Sequence, residues 1–173
     1  ILYITPLRAL NRDIFRRVID YAKDFGLTAD VRHGDTPQSV RRRMAESPPD
    51  LLITTPETLA ILLVGKRMRR HFRSLRWVIV DEIHELMGSE RGTHLTLSLE
   101  RLSLISRFEV GRVGLSATIG EPSEAARFLM GSKGRCAVLI DHSIRGYDVK
   151  CHYVGGSLED LVDLLLDKIH EAM

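Results

Sequence analysis

The residues best suited to chemistry lie in Val78-Ile79-Val80-Asp81-Glu82-Ile83-His84-Glu85, where an apolar run ends in two adjacent carboxylates with a histidine two positions on. Desolvating two carboxylates at the end of a buried strand is costly unless a cation compensates. Magnesium suits such a position. It is a hard cation held through one or two carboxylates, and it keeps several waters while bridging substrate phosphates. The second carboxylate can orient or deprotonate a water that attacks a γ-phosphate, and His84 is close enough to sense the same phosphate. The competing reading is that these acids only open the next helix, whose dipole favours negative charge there. A second candidate is Gly114-Leu115-Ser116-Ala117-Thr118. In an extended segment residues two apart face the same side, so the hydroxyls of Ser116 and Thr118 can point together. A plain cap for a helix beginning near Pro122 would use the same residues.

Positioning these groups falls to a pattern that alternates along the whole chain. Short apolar runs at 1–5, 29–32, 51–54, 77–80, 113–115 and 137–140 are separated by segments of helical spacing. One such segment carries Leu10, Ile14, Val18, Ile19 and Ala22 on one face of a predicted helix over 7–25. Runs that are apolar on both faces predict an α/β doubly wound fold, a parallel sheet covered by helices on both sides. Four of the six prolines, Pro6, Pro37, Pro56 and Pro122, stand where a helix should start. In such a sheet ligands bind at the carboxyl ends of the strands, where helix N-termini point free N–H groups outward. The junctions Thr5-Pro6 and Thr55-Pro56 are therefore either good caps or two phosphate-binding spots.

Specificity comes from order. Thr5-Pro6-Leu7-Arg8-Ala9-Leu10, Thr55-Pro56-Glu57, Asp81-Glu82-Ile83-His84 and Ser116-Ala117-Thr118 follow one another, each at a strand-to-helix junction. This series resembles motifs Ia, Ib, II and III of the first motor domain of superfamily 2 DExH helicases. The continuation Glu85-Leu86 and then Arg91-Gly92 is similar to the Ski2-like branch. The stretches Arg32-His33-Gly34-Asp35-Thr36 and Pro48-Pro49-Asp50-Leu51-Leu52-Ile53-Thr54-Thr55-Pro56-Glu57 resemble the large helicase-related (Lhr) group.

The resemblance implies a RecA-like, P-loop NTPase-type sheet, mostly parallel, in a motor that uses ATP and Mg²⁺. It implies that Asp81 holds magnesium, through water, that Glu82 activates the attacking water, and that His84 couples nucleotide state to the motor with Ser116 and Thr118 as partners. It further implies that Pro6, Arg8 and Ala9 grip one nucleic-acid strand by its backbone, that Gly34 lets backbone approach that strand, and that Thr55 and Pro56 make the next contact. Helix N-termini and an arginine suit phosphates and carry no base information. Glu57 would repel phosphate, so it is expected to brace the loop or an arginine. The implied partner is single-stranded or partly duplex DNA or RNA, with 3′ to 5′ movement along one strand; backbone contacts do not separate DNA from RNA. The alternative class is a non-catalytic nucleic-acid-binding module derived from such a domain.

The remaining features bound these expectations. No apolar run approaches the roughly 20 residues of a membrane helix, and Cys136 and Cys151 form neither a metal spacing nor a secreted framework, so a cytoplasmic setting without membrane is expected. The phosphate-cradling G-x-x-x-x-G-K-[ST] loop has no match in the 173 residues. Ile1 opens the chain inside an apolar run, which reads as an interior excerpt of a larger motor. The expected organisation is a partial RecA-like domain over 1–142, lacking the P-loop strand, a linker over 143–156, and over 157–173 a first helix leading into a second RecA-like domain in cis. Such a chain is expected not to hydrolyse ATP alone, and to carry unpaired edges and a gap where the P-loop strand belongs. Between residues 66 and 76 stand six Lys or Arg and no acid, whereas residues 157–173 hold five acids and one lysine. The basic run is either part of a nucleic-acid track or a solvated helix face.

Overall fold

The computed structural model describes residues 1–6, 12–117 and 121–131, all within one compact unit, Ile1–Leu139. Five strands form a single sheet: β1 (Leu2–Ile4), β2 (Ala29–Arg32), β3 (Leu51–Thr54), β4 (Trp77–Val80) and β5 (Gly111–Gly114). Their order is β2-β3-β1-β4-β5, and every pairing is parallel. The sheet runs without interruption across the described strands, so the expected gap does not fall among them. The run at 137–140 and the divisions at 142 and 156 lie outside the described residues.

Side-chain alternation along these strands builds two cores. Leu2, Ile4, Leu52, Val78 and Val80 point to one face and join a cluster with α2 (Gln38–Glu46), α3 (Pro56–Val64), α4 (Lys66–His71), α5 (Ile83–Leu86), α6 (Glu90–Ile105) and α7 (Pro122–Met130). Tyr3, Leu51 and Ile53 point the other way and pack with Phe15, Val18, Ile19 and Ala22 of α1 (Arg12–Asp24). Burial of both faces is what the near-continuous apolar runs require. In α6 the buried residues Gly92, Leu95, Ser98, Leu99 and Leu102 recur at helical spacing and dock the helix along α3.

Two sequence expectations shift here. The last described strand begins at Gly111, two residues before the predicted 113, because Gly111 pairs with Trp77 and the indole lies directly over it. A side chain at 111 would occupy the space of that ring. Of the prolines, Pro56 and Pro122 open helices as expected. Pro37 instead occupies the cap position before α2, and the Thr36 hydroxyl accepts from the His33 N–H at 2.9 Å rather than capping the helix.

Arg112 ties β5 to the helices. Its side chain is 3% exposed and reaches the Glu100 carboxylate at 3.0 Å, the Ser103 hydroxyl at 2.9 Å and the Leu129 carbonyl at 2.8 Å. Gly92 secures the start of α6. A Cβ there would overlap the Leu86 carbonyl at the end of α5 and crowd the Phe128 ring at 3.2 Å. Gly92→Ala is therefore expected to destabilise the fold by about 1–3 kcal/mol, the usual cost of forced overpacking, measured as a shift of the urea unfolding midpoint at constant slope.

Candidate functional site

The site lies where the strands run out. β4 ends at Val80, the Asp81 N–H donates to the Ile4 carbonyl at 2.8 Å, and the chain then turns sharply into the short helix α5. Glu82 makes that turn with φ 45° and ψ 47°, the one left-handed residue other than glycine among the described residues. Such a conformation costs an L-residue roughly 1–2 kcal/mol and persists only where the surroundings enforce it. Three contacts enforce it. The Asp81 carboxylate accepts from the Glu82 N–H at 3.0 Å, the Ile83 N–H donates to the Leu115 carbonyl at 3.0 Å, and the Leu115 N–H donates to the Val80 carbonyl at 2.8 Å.

This geometry brings the predicted chemistry together. The second Asp81 oxygen accepts from the Tyr3 hydroxyl at 2.8 Å. Burial, with Asp81 and then Glu82 alongside, drives the Tyr3 phenol far above its ordinary range, so Tyr3 stays a neutral donor. His84 Nδ1 stands 2.8 Å from the Ser116 hydroxyl, which links the end of β4 to the segment after β5. The same nitrogen is 3.4 Å from Glu82 Oε2, and His84 Nε2 is 3.5 Å from Glu85. Glu82 Oε2 is buried and has no hydrogen-bond partner among the described residues. Thr118 lies outside the described residues, as do Arg8 and Ala9.

The residues expected to grip a strand are placed differently. Thr55 is 3% exposed, and its hydroxyl accepts from the Thr58 N–H at 3.3 Å and bonds the Thr58 hydroxyl at 3.1 Å. Pro6 and Pro56 are buried as well. The side chains of these three therefore set the junctions, and what the Thr55 junction offers outward is the N-terminal turn of α3. Gly34 is exposed in the turn after β2, its carbonyl held by the Arg41 guanidinium, which also donates to the Thr36 carbonyl at 2.7 Å. Beside it Arg32 Nη1 is buried with no hydrogen-bond partner among the described residues. Burial, then the charge of Arg41, lowers the Arg32 pKa.

Two participants escaped the sequence reading. Tyr3 looked like one more apolar strand residue; only the β1–β4 register, Tyr3 opposite Ile79, carries its hydroxyl to Asp81. Arg91 was part of the resemblance without a role. Its Nε donates to Glu57 at 2.5 Å and its Nη2 to the Pro6 carbonyl at 2.9 Å, so it joins the first two junctions. Glu57 does brace an arginine. Burial alone would raise its carboxyl; hydrogen bonds from Arg91, from its own backbone and from Thr55, with the charge of Arg91, together outweigh that and hold it below the ordinary glutamate range.

The model of the DEAD/DEAH box helicase family matches residues 1–126. The chain is 46% identical over 157 residues to the ATP-dependent helicase Lhr-Core of Methanocaldococcus jannaschii, covering 84% of this chain and 18% of that protein. This chain belongs to the DEAD/DEAH box helicases, in their Lhr group. The Lhr-Core helicase of Methanothermobacter thermautotrophicus is 39% identical over 98% of the chain and 22% of its own length. The structure of the Mycobacterium smegmatis helicase Lhr bound to ssDNA and AMP-PNP superimposes with a TM-score of 0.65 at 44% identity, covering 74% of this chain and 18% of that one. The chain thus spans about a fifth of the length of these Lhr relatives. Its sheet and helices are RecA-like, and no helix of the described residues is long and apolar enough to cross a membrane.

Two measurements probe this Lhr site. Glu82→Gly relieves the left-handed strain and removes a buried carboxylate oxygen that has no hydrogen-bond partner among the described residues. It should stabilise the fold by about 1 kcal/mol despite the greater freedom of glycine when unfolded, as read from urea unfolding. The Glu57 carboxyl is held low when folded, so its contribution is present at neutral pH and lost as pH falls through its folded value. The stability gap between the unaltered chain and Glu57→Gln should be open at pH 7 and closed well below the ordinary glutamate range. It should stay under about 1 kcal/mol because the pair is partly exposed.

Proposed function

We propose that these residues form the catalytic and strand-gripping edge of the first motor domain of an ATP-dependent nucleic-acid translocase. The observation that carries this reading is the cluster at the end of β4. There Asp81 and Glu82 stand side by side at the strand end, Glu82 Oε2 lies 3.4 Å from His84 Nδ1, and the same nitrogen meets the Ser116 hydroxyl of the neighbouring segment at 2.8 Å. A relative in the same group has been seen with ssDNA and AMP-PNP bound.

The residues present fit magnesium. The donors are hard carboxylate oxygens, and the buried Glu82 Oε2 lacks a hydrogen-bond partner among the described residues. Asp81 already accepts one hydrogen bond on each oxygen and keeps spare lone pairs, which suits holding the ion through water. Bound there, the ion would neutralise charge on the β- and γ-phosphates. Tyr3 holds Asp81 in place, and the left-handed turn aims Glu82 to accept the proton of an attacking water. His84, bonded to Ser116, transmits the state of that site to the next strand end. Along the same edge the α3 N-terminus and Arg32, with the loops that Gly34 and Arg91 shape, hold a strand by its phosphates, with Arg8 and Ala9 expected to add to the grip.

The whole motor is expected to move 3′ to 5′ on single-stranded or partly duplex DNA or RNA, with a second RecA-like domain in cis closing on the nucleotide. The 173-residue chain alone is expected not to turn over ATP, since its sequence has no P-loop to cradle the phosphates. In the intact motor Glu82→Gln should lower ATP turnover by at least about 100-fold, the scale of general-base loss, while strand binding persists in a filter-binding assay. Turnover by the isolated chain at the rate of the intact motor, abolished by Glu82→Gln, would falsify the inactivity proposed for the chain.

A further inference from the structure

A second charged region lies away from this edge. Lys66, Arg69, Arg70 and Arg73, from α4 and the 3₁₀ turn Phe72–Ser74, line an open groove of about 660 Å³ together with Arg101, Leu104 and Ile105 of α6. All five cations are exposed. Their side chains make no ion pair or hydrogen bond among the described residues. The topology sets the groove at the far pole from the site. Helix α3 starts at the carboxyl end of β3 and runs back, so α4 and the 3₁₀ turn lie where β4 begins. Likewise α6 ends just before β5 begins. The groove is therefore at the amino edge of the sheet, and Asp81, Glu82 and the Thr55 junction are at the carboxyl edge.

Five such cations around one groove repel each other, and a surface laced with mixed charges would have avoided the cost. Four of the five are arginines, whose planar fork pairs with phosphate through two parallel hydrogen bonds. Lys66, Arg69, Arg70 and Arg73 fall at i, i+3, i+4 and i+7, a row on one side, which matches a repeating anion better than a single one. The groove is lined by no aromatic residue, so it has no platform for stacking bases. Leu104, 76% exposed, adds an apolar surface to the lining.

We propose that this groove is a second nucleic-acid track, which holds the phosphate backbone of a strand without reading sequence as that strand passes behind the motor domain. The inference rests on the reading of the chain as part of a nucleic-acid motor. A strand long enough to reach both poles would be held at two places, and the rear contacts would keep it from leaving when the front edge releases during a cycle.

The test uses the 173-residue chain and fluorescein-labelled single-stranded DNA, with affinity measured by anisotropy across a salt series. Replacing Arg69, Arg70 and Arg73 together by Gln should weaken binding about tenfold or more at low salt. It should also flatten the slope of log affinity against log salt by about 2, close to 0.7 for each single-strand phosphate no longer neutralised. All three side chains are exposed and removing them relieves repulsion, so the thermal unfolding midpoint should not fall. In an independent measurement, benzoylphenylalanine installed in place of Leu104 should photocrosslink the DNA, and poly-glutamate of equal charge should not displace it. An unchanged slope with no crosslink at 104, while the unaltered chain still binds DNA, overturns the rear track and leaves the front site standing. Displacement by poly-glutamate as efficient as by DNA also overturns it, in favour of an acidic protein partner. Failure of the unaltered chain to bind DNA at all overturns the rear track, whose five cations it contains in full, and leaves standing the front site, which a second domain completes in the intact motor.

Discussion

Parallel pairing governs everything else in this fold. Because all five strands run the same way, every strand ends at one edge, and every helix must carry the chain back to the other. The residues after β1, β2, β3, β4 and β5, distant in sequence, are thereby made neighbours. Asp81 can reach Tyr3, His84 can reach Ser116, and Arg91 can reach both Pro6 and Glu57 only because of this shared edge. The reverse edge gathers the helix ends instead, and with them the basic groove.

The site also concentrates features that work against stability. Glu82 adopts a left-handed backbone in a chain otherwise free of it among the described residues outside glycine, and its buried oxygen lacks a hydrogen-bond partner there. Two carboxylates stand side by side at the end of an apolar strand. A fold selected for stability alone would place glycine or asparagine at such a turn. The strain is located where a water and a phosphate would have to be oriented, which is where local strain tends to be stored in enzymes. Arg112 is a buried charge with an acid partner and several carbonyl and hydroxyl acceptors.

Motif residues divide into two kinds when seen in three dimensions. Glu82, His84 and Ser116 present their side chains to one another, and Asp81 turns its carboxylate to the Tyr3 hydroxyl and the Glu82 N–H. Pro6, Thr55 and Pro56 are buried, and their part is to shape the junctions from which backbone N–H groups emerge. The order of motifs along the chain is equally visible for both kinds. A threonine before a proline at a strand end reads the same whether its hydroxyl faces a phosphate or, as here, caps its own helix through Thr58.

Local properties of the chain were enough to reveal the elements, the parallel α/β class, the carboxylate pair at the end of β4 and membership in a helicase family. Two-sided apolar runs of strand length, prolines at helix starts and the types of residue at each junction carry all of these. Even the arginine contact of Glu57 was legible, since a carboxylate at a helix start where an anion is expected suits a brace better than a grip. Packing settled what remained. That β5 starts at Gly111 depends on an indole from another strand, and that Tyr3 serves Asp81 depends on register between β1 and β4. Arg91 became a bridge through contacts 34 and 85 residues away along the chain. The run from Lys66 became one wall of a groove that Arg101 completes from a separate helix. Pattern along a chain carries the period of each element and the chemistry of its ends. It carries no information on which ends meet, because that is set by the packing of both sheet faces at once.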